Sequence, residues 1–257
     1  MWFDRIDPRD PLQLTDGVWG LLGRYYFLNN SNIWIWALYG NNDEKTWEIG
    51  KTRKNTPEFG GRLQMPVPKG EAAVSYHFRK ADTRTYGNYI YPYDNINENR
   101  LGIDAKWDVE VGLWFEGTWI NKDSDIGIFK NQEILNLGTD YTFAIGNGLN
   151  LTAEHLITSF DNKAFTFSNN SSFSALSVSY PLGVLDNLNA IFYYQWNGRS
   201  LYNFINWKSQ FSSLDLYVMA YWNPSVYQLP QQQQQGGNSN AAFFAGKGIQ
   251  LMLVYNH

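Results

Sequence analysis

The chain has 257 residues, 44% of them hydrophobic and 17% aromatic, with no cysteine and a net charge of −4. These figures exclude disulfide staples, thiol catalysis and Cys-ligated metal, and they exclude the basic field of a nucleic-acid-binding protein. No run of 18 apolar residues would form a membrane helix, and the spread of 11 Trp, 17 Tyr and 16 Phe excludes disorder over most of the chain. The opening MWFDRIDPRDPLQLTDG lacks the basic end and apolar run of a signal peptide. Its Asp, Pro and Gly residues predict a structured loop over residues 1–16.

From Gly17 onward the pattern has period two. Leu101, Ile103, Ala105 and Trp107 point one way, and Gly102, Asp104 and Lys106 the other. The next segment sets Val109, Val111, Leu113, Phe115 and Trp119 against Glu110, Gly112, Glu116 and Thr118. Further on, Leu135, Leu137, Tyr141 and Phe143 oppose Asn136, Gly138, Asp140 and Thr142, and Leu149, Leu151, Ala153 and Ile157 oppose Asn150, Thr152, Glu154 and Thr158. No helical spacing is sustained. About fourteen strands are predicted, at 17–27, 32–40, 45–52, 59–66, 71–80, 99–107, 109–121, 133–146, 150–160, 171–181, 187–197, 200–209, 213–222 and 244–256. Trp34 and Trp36 alternate with Ile33 and Ile35, so the pattern leaves strand 32–40 without an orientation. The link after residue 222 carries Gln231 to Gln235 and reads as a flexible polar tract. No repeat or linker divides the chain, which reads as one domain over 1–257 with strands across 17–256.

A long antiparallel meander leaves two edges unless it closes. Three features favour an all-β, antiparallel, up-and-down transmembrane β-barrel. Strands of this length suit a tilted crossing of a bilayer. Aromatics such as Tyr25, Trp107, Trp119, Tyr180, Trp196 and Trp222 sit near strand ends, as interfacial girdles do. Charges of both signs share the second face, which a soluble core would reject.

Gly248 to His257 (GIQLMLVYNH) resembles the C-terminal strand of bacterial outer-membrane proteins, although Tyr255 stands two residues short of the end. Residues 57–71 (PEFGGRLQMPVPKGE), 75–79 (SYHFR) and 5–12 (RIDPRDPL) resemble alginate-export-like porins of Gram-negative bacteria. Those porins are commonly longer, with further N-terminal strands. The resemblance implies a bacterial outer-membrane location, a lipid bilayer as partner and a channel, without catalysis or cofactor. An even count of fourteen strands would let this chain close by itself.

On that reading the lumen is lined by Arg62, His77, Arg79, Asp104, Lys106, Glu110, Glu116, Asp140, Glu154 and Tyr193. Opposed charges across a pore select solutes; Arg62 and Arg79 with His77 would attract carboxylates. The expected function is passive diffusion of small polar or anionic solutes, with sugar acids and oligosaccharides as candidates. The structural alternative is that these charges pair across neighbouring strands. Three rival functions stand beside the channel. One is a non-conducting barrel that serves as scaffold or sheath. Another is a soluble carbohydrate-binding β protein whose aromatics stack on sugars. The third, an outer-membrane lipase dependent on His77, lacks a visible Ser–His partnership. Metal binding has one candidate, the oxygen-rich run Asp94, Asn95, Asn97, Glu98 and Asn99, which also reads as a solvated loop.

Overall fold

The structure is a computed structural model that describes residues 18–44, 48–84, 93–225 and 246–255. The Gln231–Gln235 tract, the opening segment 1–16 and His257 lie outside the described residues. The β1 strand runs over Gly20–Tyr26, β2 over Asn32–Leu38, β3 over Lys51–Thr52, β4 over Glu58–Val67 and β5 over Gly70–Asp82. After these come β6 (Ile96–Asp108), β7 (Gly112–Lys122), a 3-10 turn at Gly127–Lys130, β8 (Asn131–Phe143) and β9 (Leu149–Asp161). The last five are β10 (Asn170–Pro181), β11 (Asp186–Gln195), β12 (Ser200–Gln210), β13 (Leu214–Trp222) and β14 (Lys247–Tyr255).

All of these strands belong to one antiparallel sheet, in which nearly every strand pairs with its sequence neighbours. The exception is β3. It pairs only with β5, through Lys51↔Asp82 and Thr52↔Ala81, so it extends the row of β4 instead of adding a row. Of the strand expected at 45–52, residues 45–47 lie outside the described residues, and of the rest only Lys51 and Thr52 belong to the sheet. Glu48 and Ile49 leave the sheet and bring their side chains against its polar face, and the Gly50 carbonyl accepts from Arg79.

Register assigns the faces. Trp34 lies opposite Arg62, and Trp36 opposite Gly60, so both tryptophans of β2 share the face of Arg62, and Ile33 and Ile35 take the other. That other face is predominantly apolar. Leu21, Ile35, Phe59, Leu63, Ile103, Leu137, Leu176, Leu201, Ile249, Leu251 and Leu253 are all exposed on it. A continuous apolar surface of this extent is a contact surface. The buried hydrophobic cluster lies on the polar face, at the end where the loops return. There Ala81, Ile96 and the partly buried Phe160 of the sheet meet Ile49, Ile126 and Phe129 from the loops.

The sheet does not close. The row runs from β1 to β14, and among the described residues no pairing joins those two strands. With β3 off the row, thirteen strands alternate in direction, so β1 and β14 run the same way. Direct closure would place a parallel pair in a sheet whose every pair is antiparallel, against the even count of bacterial barrels. This corrects the expectation of a transmembrane β-barrel. The porin resemblance, the channel with its lumen, the lipid bilayer as partner and the outer-membrane location all rested on that barrel, and they are withdrawn with it. No helix among the described residues is long and apolar enough to cross a membrane.

Candidate functional site

Three neighbouring strands place Arg24, Trp34 and Arg62 side by side on the polar face, through the registers Arg24↔Trp34 and Trp34↔Arg62. The Arg24 guanidinium lies over the Trp34 ring, 4.1 Å from its centroid, a cation–π contact. Arg62 is held from the other side by a bidentate pair to Asp104, its Nη2 donating to Oδ1 at 2.7 Å. The two nitrogens of one guanidinium meet the two oxygens of one carboxylate, which fixes the plane of the arginine. A cavity of about 510 Å³ opens between these groups, lined by Leu22, Arg24, Trp34, Trp36, Arg62, Gln64 and Ser75 among others. The Trp34 indole N–H is buried and has no hydrogen-bond partner.

Beside this cavity the polar face becomes a buried charge cluster. Arg79 is 0% exposed. Its guanidinium donates to both oxygens of Glu98 at 2.7 and 3.0 Å, to Glu48 Oε2 at 3.1 Å, to Thr52 Oγ1 at 3.2 Å and to the Gly50 carbonyl at 3.1 Å. Arg100 donates to Glu48 and Glu98, and the Lys122 ammonium stands 3.2 Å from Glu98. The arrangement ties the 48–52 segment onto the sheet. Burial pushes the Glu48 carboxyl up, but Arg79 and Arg100 outweigh it and bring it down to about 2. Glu98 is likewise held well below the usual range, burial being overcome by Arg100, Arg79 and Lys122. Arg79, expected to meet anions, is fully committed to these partners.

His77 joins this cluster from two residues earlier on β5. Its Nδ1 accepts from the Trp36 indole N–H at 3.1 Å, and its Nε2 lies 3.0 Å from Glu58. An acceptor Nδ1 requires the neutral ring with its proton on Nε2. Burial lowers the His77 pKa in the same sense, opposed by Glu58 and reinforced by Arg100 and Arg79.

The other expected site residues separate into two groups. Asp104, Glu116 and Glu154 sit near one another, with Asn136 donating to Glu154 at 3.2 Å and to Glu116 at 3.5 Å, and Trp114 donating to Glu154 at 3.1 Å. Burial raises the Glu116 pKa, and Asp104 and Glu154 add to the rise. A second, smaller cavity of about 150 Å³ joins Arg62, Ser75, Asp104, Glu116 and Thr118. The remaining four lie apart. Lys106 stands opposite Glu71 and Trp114 at the far end of β6, and Asp140 opposes Gly112 and Thr152. Tyr193 packs edge-on against Phe204. Glu110, expected on a strand face, lies in the turn before β7 with a positive φ of 128°. No group of acidic and histidine side chains among the described residues is placed to hold a metal. In the proposed oxygen-rich loop, Asn97 and Glu98 fall on opposite faces of β6, and Glu98 is consumed by Arg79.

Register also reveals a partnership that spacing hid. His155 Nδ1 lies 2.9 Å from Ser174 Oγ, which accepts from the Trp196 indole N–H at 2.9 Å. This pair stands on the apolar face, and among the described residues no acidic group partners the other His155 nitrogen. Arg24 was expected on the polar face with Arg62, but Trp34, which stands between them in the cavity of about 510 Å³, was legible only as alternation without a face; the pairing of β2 with β4 supplies it. Comparison of the chain with protein-family models, with curated proteins and with solved structures finds no match in any of the three.

Proposed function

We propose that this chain is a carbohydrate-binding β-sheet protein that takes its ligand in the cavity between β1, β2 and β4. The observation that carries the reading is the meeting of Trp34 with Arg24, Arg62, Gln64 and Ser75 around about 510 Å³, a volume in the ordinary range for ligand pockets. A sugar ring presents an apolar C–H face and a rim of hydroxyls. Indole and apolar walls suit the face. The guanidinium, amide and hydroxyl groups suit the rim, and the unpartnered Trp34 N–H offers a donor already stripped of water. Asp104 holds Arg62 flat, so that the arginine is oriented before a ligand arrives.

The test is titration calorimetry of the folded chain with neutral and acidic oligosaccharides. Binding is expected, with Trp34→Ala weakening it at least tenfold and Arg24→Ala weakening it less. Equal affinity in Trp34→Ala, or no heat from any sugar with a chain whose circular dichroism shows intact strands, would remove this reading.

A further inference from the structure

Among the described residues, the two strands at the ends of the row each leave one edge of N–H and C=O groups unpaired, and such an edge is a template for another strand. The two edges are not equivalent. β1 is seven residues long and has Gly20 and Gly23 within it. β14 is nine residues, KGIQLMLVY, with one glycine near its start and one charge at its first position. On its apolar face Ile249 is 80% exposed and Leu251 64%, with Leu253 and Tyr255 similarly open. A long, apolar, uninterrupted edge is the one that associates.

The direction of the strands selects the partner. Because β1 and β14 run the same way, joining β14 of one copy to β1 of another would make a parallel pair. Joining β14 to β14 about a two-fold axis makes an antiparallel pair and continues the pattern of the whole sheet. Full overlap of nine residues centres the axis on Leu251. That register sets Ile249 against the other copy's Leu253, Gln250 against its Met252, and Lys247 against its Tyr255. Apolar groups then meet apolar groups on one face, no like charges meet, and the single ammonium faces an aromatic ring. We propose that β14 is a self-association strand, through which two copies of this chain pair antiparallel with Leu251 on the two-fold axis.

The chain has no cysteine, so single cysteines can read the register directly. Antiparallel neighbours stand about 4.5 to 5.5 Å apart at Cα, within the ~4.4 to 6.8 Å that a disulfide spans. The experiment uses the full chain in a non-ionic detergent that keeps the apolar face from unspecific contacts. Leu251→Cys is expected to form a covalent dimer on oxidation. Ile249→Cys and Leu253→Cys are expected to cross-link only when the two variants are mixed. The unsubstituted chain is expected to sediment as a dimer, which guards against a variant that fails to fold. A monomer at all concentrations overturns the proposal, as does cross-linking through Gly23→Cys on β1 in place of Leu251→Cys.

Discussion

Arg79 is the residue on which the charge cluster depends, because Glu48 and Glu98 are buried and share its guanidinium. Replacing it with methionine keeps the stem and leaves two carboxylates with less compensation. Loss of one partner from a buried pair costs about 3 to 5 kcal/mol, and urea unfolding of Arg79→Met is expected to show a loss of that order. Arg79→Lys, which keeps the charge but not the fork, should fall between. The same residues set the pH response. Glu48 titrates at about 2 in the fold against an ordinary 4.5. Its contribution is therefore complete above 4.5 and lost as the pH falls toward 2, an effect of roughly 3 kcal/mol. Glu98 acts in the same direction. His77 is held neutral with its pKa below 6.5, so its contribution is complete above 6.5 and is lost as the pH falls through its lowered value. Stability is expected to fall on the acid side, and denaturation curves of Arg79→Met should show a shallower acid limb. Equal acid slopes in the two proteins would count against the cluster as the cause. The sequence offered pairing of charges across neighbouring strands as an alternative, but it placed Glu98 in an oxygen-rich loop and not beside Arg79; their meeting depends on the β5–β6 register and on a loop that folds back.

At the level of elements, alternation located most strands to within a few residues, because a sheet with one apolar and one polar face writes its period into the chain. It failed at 48–50, where Ile49 and its charged neighbours alternate as a strand would, but Glu48 is drawn out of the sheet by two arginines. It also could not explain the glycines within strands. Gly60 lies opposite Trp36, Gly138 opposite Trp114 and Gly248 opposite Tyr221. In each pair the aromatic side chain lies across the glycine, so that a Cβ there would overlap it. The glycine supplies space and the ring covers its backbone, which is how sheets accommodate glycine at small cost. Gly138→Ala is therefore expected to push Trp114 from its place and break its hydrogen bond to Glu154. The expected loss is about 1 to 3 kcal/mol, typical of overpacking, measured by thermal or urea unfolding. A neutral result would show that the ring moves freely, and that the pairing with glycine is not a packing constraint.

For the whole molecule, the decisive property was the one alternation cannot encode. Strands with one apolar face occur in closed and open sheets alike, so the period does not say whether the first and last rows pair. The loss of one row, when β3 became an extension of β4, turned an even count into an odd one and set β1 and β14 in the same direction. The open sheet still presents its apolar face, with Leu137 57% and Leu176 40% exposed near the middle. In water such a surface gains by covering itself, at roughly 25 cal/mol per Å² of apolar area removed. The chain is therefore expected to self-associate through this face in plain buffer, beyond the edge pairing of β14, with the broad mass distribution that a face without a defined register produces. Glutamate at Leu137 and Leu176 tests this. At positions open to solvent the substitutions should change stability by no more than about 0.5 kcal/mol each, while the charge should oppose contact between faces. Light scattering should then show a shift toward smaller species, with the strand signal in circular dichroism unchanged. If the mass distribution stays as it was, the apolar face is not what holds the copies together, and association must be attributed to the edges alone.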